Sequence, residues 1–114
     1  MNFNNGWVGV DLDGTLAHYN GWKGPEHIGE PIKPMVEKVQ QLLQQGANVK
    51  VFTARVCSTQ PEEELAIAKK TIAEWTLKHI GKELDSTAEK DWNMIEFYDD
   101  RAIHVQYNTG QIID

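Results

Sequence analysis

The sequence predicts an α/β fold: a parallel sheet with helices on both of its faces, in three layers. Three observations lead there. Short apolar runs alternate with helical stripes in the order strand, helix, strand, helix, strand, which implies right-handed crossovers and parallel strands. Three of the apolar runs stop at polar residues: Asp11 and Asp13, then Thr53, then Asp99 and Asp100. In a parallel sheet such ends share one edge, the edge at which open α/β folds bind ligands.

Each element has its own signature. Residues 6–12 are nearly all apolar, as in a strand buried on both faces. Residues 17–32 hold Gly21, Gly24, Pro25, Gly29 and Pro31 and read as a long loop. A helix follows, with Pro34 in its first turn and a stripe of Met35, Val36, Val39, Leu42 and Leu43. Gly46 suits its left-handed cap. Residues 49–53 give the second strand. Residues 61–80 give the second helix, with Leu65, Ala68, Ile72 and Trp75 inward, Glu62, Glu63 and Glu64 at the end that a helix dipole favours for acids, His79 near its last turn and Gly81 after it. Residues 82–93 are irregular, with a short strand near 84–87. Residues 95–98 form the next strand, and 103–113 a terminal hairpin around Asn108-Thr109-Gly110. The whole reads as one Rossmann-like domain over residues 1–114.

Composition narrows the function classes. The 114 residues suffice for one modest core, and 40% hydrophobic with 25% charged is ordinary for a folded soluble protein. No apolar run nears the roughly 20 residues of a membrane span, and Met1–Asn5 does not read as an export signal. With the single Cys57, these features point to the cytoplasm. Cys57 has no histidine at activating spacing and reads as an unreactive loop thiol, and the four histidines show no metal-ligand pattern. A net charge of −6 counts against tight binding to nucleic acid.

The densest chemistry is Asp11-Leu12-Asp13-Gly14-Thr15, two carboxylates at a strand end above a glycine turn. Two residues apart on a strand, they would share one face. Burying two like charges together is costly unless a cation or a reaction needs them.

Together with Val51-Phe52-Thr53-Ala54-Arg55, Lys90 and Asp99-Asp100-Arg101, this run resembles the four motifs of the haloacid dehalogenase-like (HAD) phosphohydrolases, in order and over about nine-tenths of the chain. The resemblance implies a HAD-like phosphoric monoester hydrolase that uses Mg²⁺. The metal would be held by the Asp11 carboxylate, the Asp13 carbonyl and an acid of Asp99-Asp100. Asp11 would be the nucleophile and Asp13 the general acid and base, because an acid two residues on marks phosphatases rather than dehalogenases. Thr53 and Lys90 would hold phosphoryl oxygens, with Lys82 the runner-up for the lysine. Gly14 and Thr15, through backbone N–H groups of their turn, and Arg55 would add to substrate binding. Arg101 would pair with the neighbouring carboxylates.

Larger members of that family carry a cap domain over the site, and neither gap between motifs has room for one. The open site suits a bulky phosphate, and some resemblance to polynucleotide 3′-phosphatases adds polynucleotide ends to nucleotides as candidates. A partner subunit covering the site is compatible with the sequence. Tyr19 and Trp22, just after the first motif, would either stack on a base or sugar or pack their loop down. Two other classes compete: a receiver-like regulatory domain phosphorylated on aspartate, and a catalytically silent phosphate-binding module.

Overall fold

In the computed structural model, which describes residues 5–113, the expected order of elements is present. The reading of the first four residues as no export signal lies outside the described part. Strand β1 spans Trp7–Val10, β2 Asn48–Phe52, β3 Ser86–Thr87 and β4 Met94–Tyr98. All pair in parallel, in the order β3-β2-β1-β4. Helix α1, Lys33–Gln44, links β1 to β2, and α2, Glu62–His79, links β2 to β3. Pro34 sits in the first turn of α1, and Gly46 follows that helix at φ +89°.

Alternation along the strands sends Val8, Val10, Val49 and Val51 to one face. There they meet Val36, Val39 and Leu42 of α1 and Ala68, Ile72 and Trp75 of α2 in a single core. Both helices therefore lie on the same side, and the expected helices on both faces are corrected to two layers. Strand order supplies the reason. The steps β1 to β2 and β2 to β3 run the same way across the sheet, so right-handed crossovers put both helices on one face. The return from β3 to β4 runs the other way, and its helix would cover the second face. Residues 88–93, which make that return, hold no helix.

Among the described residues, the second face is covered only by its own side chains. The rings of Trp7 and Phe52 stack at 6.3 Å, Phe52 and Phe97 meet at 5.0 Å, and the Lys50 ammonium lies 4.8 Å from the Trp7 ring centre. The Trp7 indole donates to Asp91 Oδ1 at 2.8 Å, fixing the short return segment and holding the Asp91 carboxyl below its usual range. Trp7 is thus buried without any helix above it, while Phe97 stays 41% exposed.

The long loop after β1 is closed at its neck. His18 N–H donates to the Glu30 carbonyl and Ile32 N–H to that of Leu16. A Cβ on Gly29 would collide with the His18 carbonyl, so the two limbs of the neck can approach only through glycine. The Trp75 indole of α2 donates to the Gly29 carbonyl at 3.0 Å and anchors the loop to the core helix. In the last turn of α2, the His79 ring lies 4.7 Å from that of Trp75. The terminal hairpin forms as expected from β5, His104–Val105, and β6, Ile112–Ile113, with every residue exposed. Among the described residues no helix is long and apolar enough to cross a membrane.

Candidate active site

β1 ends at Val10, one residue before the first acid, and the chain then turns tightly. The N–H groups of Thr15, Leu16 and Ala17 lie within 3.2 Å of the Leu12 carbonyl, and Gly14 N–H donates to Ala17. Asp11 N–H donates to the Tyr98 carbonyl at 2.9 Å, joining the turn to the end of β4. Gly14 has φ +88°, and a Cβ there would lie 3.0 Å from Asp100 Oδ2. Glycine is therefore required twice over, by its backbone angle and by the carboxylate it faces.

The turn gives the two acids different partners. Both lie beyond the last residue of β1 and both line one cleft. Asp11 joins Asp99 and Asp100, and each of the three offers a carboxylate oxygen within 4.8 Å of the others. Asp13 turns instead to Arg55, whose Nε and Nη2 donate to its two oxygens at 2.8 Å each. Arg55 Nη1 donates to the His27 carbonyl at 2.8 Å, and its guanidinium carbon lies 4.9 Å from the Trp22 ring centre. Expected to bind a substrate phosphate, Arg55 is here a buried clamp with its charge met by Asp13.

Burial, together with hydrogen bonds to Asp100 and Asp99, pushes the Asp11 carboxyl up to about 7. Asp100 shifts the other way, below its usual range, chiefly because the Thr15 hydroxyl donates to it at 2.9 Å. A proton on Asp11 thus relieves the crowding of three acids. A hard divalent cation would do the same with oxygen ligands, so these residues fit Mg²⁺. Asp11 binds its proton more tightly folded than unfolded, so its contribution favours the fold below pH 3.8 and is lost as pH rises to about 7. Melting of the metal-free protein should therefore move to lower temperature between pH 5 and 8. Added Mg²⁺ should flatten that trend in a differential scanning measurement.

The other expected site residues divide. Thr53 is buried at the end of β2, where its oxygen accepts from Arg55 N–H and its own hydroxyl proton is left to donate. Gly14 and Thr15, expected to bind substrate through the turn, have both N–H groups bonded within it. The Thr15 hydroxyl is also committed, to Asp100, so both residues build the turn rather than face the cleft. Lys90 lies in the return from β3 to β4 and lines a separate hollow with Phe52, Met94, Ile95, Glu96 and Phe97, outside the lining of the acid cleft. Lys82 precedes β3 and lies towards the other end of the sheet.

Arg101 was expected to pair with the neighbouring acids. Its backbone N–H donates to Asp99 Oδ2, but among the described residues its guanidinium makes no ion pair. It lines a cleft of about 580 Å³ together with Asp11, Asp13, Asp99, Thr53 and Arg55. Cys57 lies beyond this group, its thiol lowered by a hydrogen bond with the Thr59 hydroxyl. Sequence reasoning missed the Arg55–Asp13 clamp and the Phe52 and Phe97 side of the cleft. Comparison of the chain with family models, curated proteins and solved structures finds no match.

Proposed function

We propose that the protein is a Mg²⁺-dependent, HAD-like phosphatase without a cap domain, which hydrolyses a phosphate monoester through an aspartyl-phosphate on Asp11. The observation that carries this reading is the half-buried Asp11 among Asp99 and Asp100, facing a cleft that also holds Asp13 and Thr53. The absence of a folded insertion between residues 18 and 30 agrees with a site open to solvent.

The carboxylates of Asp11, Asp99 and Asp100, with the Asp13 carbonyl, would hold Mg²⁺, which neutralises charge on the phosphoryl oxygens. In the first step, entered with Asp11 ionised and a proton on Asp13, an Asp11 oxygen attacks phosphorus, the bond from phosphorus to the leaving oxygen breaks, and Asp13 gives that oxygen its proton. In the second, water attacks phosphorus, Asp13 takes the water's proton, and the Asp11–phosphorus bond breaks to free phosphate. Ester and water become alcohol and phosphate, and both acids return to their starting state. Arg55 uses one N–H on each Asp13 oxygen, so each keeps a second lone pair for a proton. The Thr53 hydroxyl supplies a donor to the phosphoryl oxygens, and Lys90 would supply a second from the neighbouring hollow.

The test is phosphate release from a panel of nucleotides, sugar phosphates, phosphorylated oligonucleotides and phosphopeptides, with Mg²⁺ and with chelator, alongside acid trapping of phosphoenzyme. Metal-dependent release through a transient phosphoenzyme is expected. A lasting phosphoenzyme without turnover would favour the regulatory domain. Neither product nor phosphoenzyme would favour the silent module.

A further inference from the structure

Beyond the carboxylates, the cleft is walled by aromatic rings drawn from two unrelated parts of the chain. Tyr19 and Trp22 come from the long loop, and Phe52 and Phe97 from the uncovered face of the sheet, at the ends of β2 and β4. None belongs to the core, and Tyr19, Trp22 and Phe97 are 48%, 57% and 41% exposed. Packing the loop down does not account for Trp22, because other groups hold that loop: the neck hydrogen bonds, Trp75 and the Arg55 bond to His27. Rings left this open beside a polar site are a ready surface for a flat apolar ligand.

The missing second layer of helices has a direct use here. A helix over the second face would cover Phe52 and Phe97. Without one, the two rings, 5.0 Å apart and inclined at 54°, continue the bare sheet face up to the acids. Across the cleft Trp22 has the Arg55 guanidinium against its ring, which fixes the indole. Arg101 brings to the same cleft a guanidinium that makes no ion pair among the described residues, a donor suited to a ring carbonyl or a sugar hydroxyl.

We propose that the leaving group is a nucleoside: the cleft takes a nucleoside monophosphate, its phosphate at Asp11 and its base against the rings of Trp22, Phe52 and Phe97. This rests on the phosphatase reading above and names its substrate class. Size and charge narrow the choice. A cleft of about 580 Å³ exceeds what a phosphate on one phenyl ring would fill and falls in the usual range for drug-sized ligands. A net charge of −6, with Arg55 already met by Asp13, leaves little to attract a polyanion, so one nucleotide fits better than a polynucleotide end.

Two measurements test this separately from the chemistry. In the Asp11→Asn protein, tryptophan fluorescence is followed during titration with adenosine and guanosine, which carry no phosphate, and with glycerol phosphate. Quenching by the nucleosides is expected, with at least tenfold weaker affinity in a folded Phe97→Leu variant, which keeps every tryptophan, in line with one lost stacking partner. In the native protein, kcat/KM for nucleoside monophosphates should exceed that for glycerol phosphate by about tenfold or more, mainly through KM. That ratio should fall towards one in Trp22→Leu and Phe97→Leu. Equal turnover of nucleotides and glycerol phosphate, or a tenfold preference for a phosphorylated oligonucleotide or a phosphotyrosine peptide, would overturn the nucleoside assignment and leave the phosphatase standing. Nucleoside binding without turnover of any phosphate would keep the nucleoside site and overturn the phosphatase.

Discussion

Replacing Asp11 by Asn should abolish metal-dependent phosphate release and, without metal, give a protein more resistant to heat than the native one. The first half follows from the proposed chemistry: an amide cannot attack phosphorus, and loss of a covalent nucleophile typically lowers kcat on the order of 10⁴-fold or more. The second half follows from the acids alone. Asp11 holds its proton up to about pH 7 because burial and two neighbouring carboxylates disfavour its charge. Asn keeps the shape and removes the charge. At pH 8, where the native carboxyl is ionised, the variant should melt about 2–5 °C higher. Below pH 5 the difference should vanish, since Asp11 is then neutral in the native fold as well. Adding Mg²⁺ should raise the melting temperature of the native protein and barely move the variant. Asp13→Asn separates the two roles, because it should let phosphoenzyme form slowly and persist. An unchanged hydrolysis rate in Asp13→Asn would remove that residue from proton transfer. Undiminished phosphate release in Asp11→Asn would remove the proposed nucleophile.

Much of the fold was legible because local periodicity determines it. The stripe of Val36, Val39 and Leu42, and that of Ala68, Ile72 and Trp75, announced two helices and the sides they bury. The polar residues closing the strands announced a shared edge, since parallel strands end together. Strand order was not legible, because periodicity says nothing about which strands are neighbours. The face on which each helix lands depends on that order, and hence the described residues hold no second layer of helices. One signal was available: residues 88–93 are too few to cross back over the sheet as a helix. At the site, residue types were readable and partners were not. Arg55 and Asp13 lie 42 positions apart, and nothing local to either says that they meet. Asp11 and Asp13 do line one cleft, but their partners, Asp99 and Asp100 for the first and Arg55 for the second, come from other strand ends that nothing local announces. Arg55 and Arg101 accordingly exchange their expected roles, the first tied to an acid and the second open to the cleft.

Arg55→Ala should be the most damaging single change away from the core, and its pattern discriminates a clamp from a substrate ligand. The substitution strands the Asp13 carboxylate, frees the His27 carbonyl and removes the cation beneath Trp22. Breaking a fully buried ion pair costs about 3–5 kcal/mol. Asp13 keeps 22% of its side chain in solvent, so about 2–4 kcal/mol is the better expectation, a fall in melting temperature of roughly 10 °C. Arg55→Lys retains the charge but cannot make the two-pronged contact and reach His27 as well, so it should recover only part of the stability. In that variant kcat should fall about 100-fold, as a misplaced acid would cause, with KM for a small phosphate changing less than about threefold. A phosphate ligand would behave otherwise: KM would rise, and the folded state would hardly notice. Combining Arg55→Ala with Asp13→Ala isolates the contact, since a paired clamp predicts that the double variant loses less stability than the two singles together, by more than about 1 kcal/mol. Additive losses would mean that Arg55 stabilises the fold through the His27 carbonyl and Trp22, and that Asp13 takes its position from the turn alone.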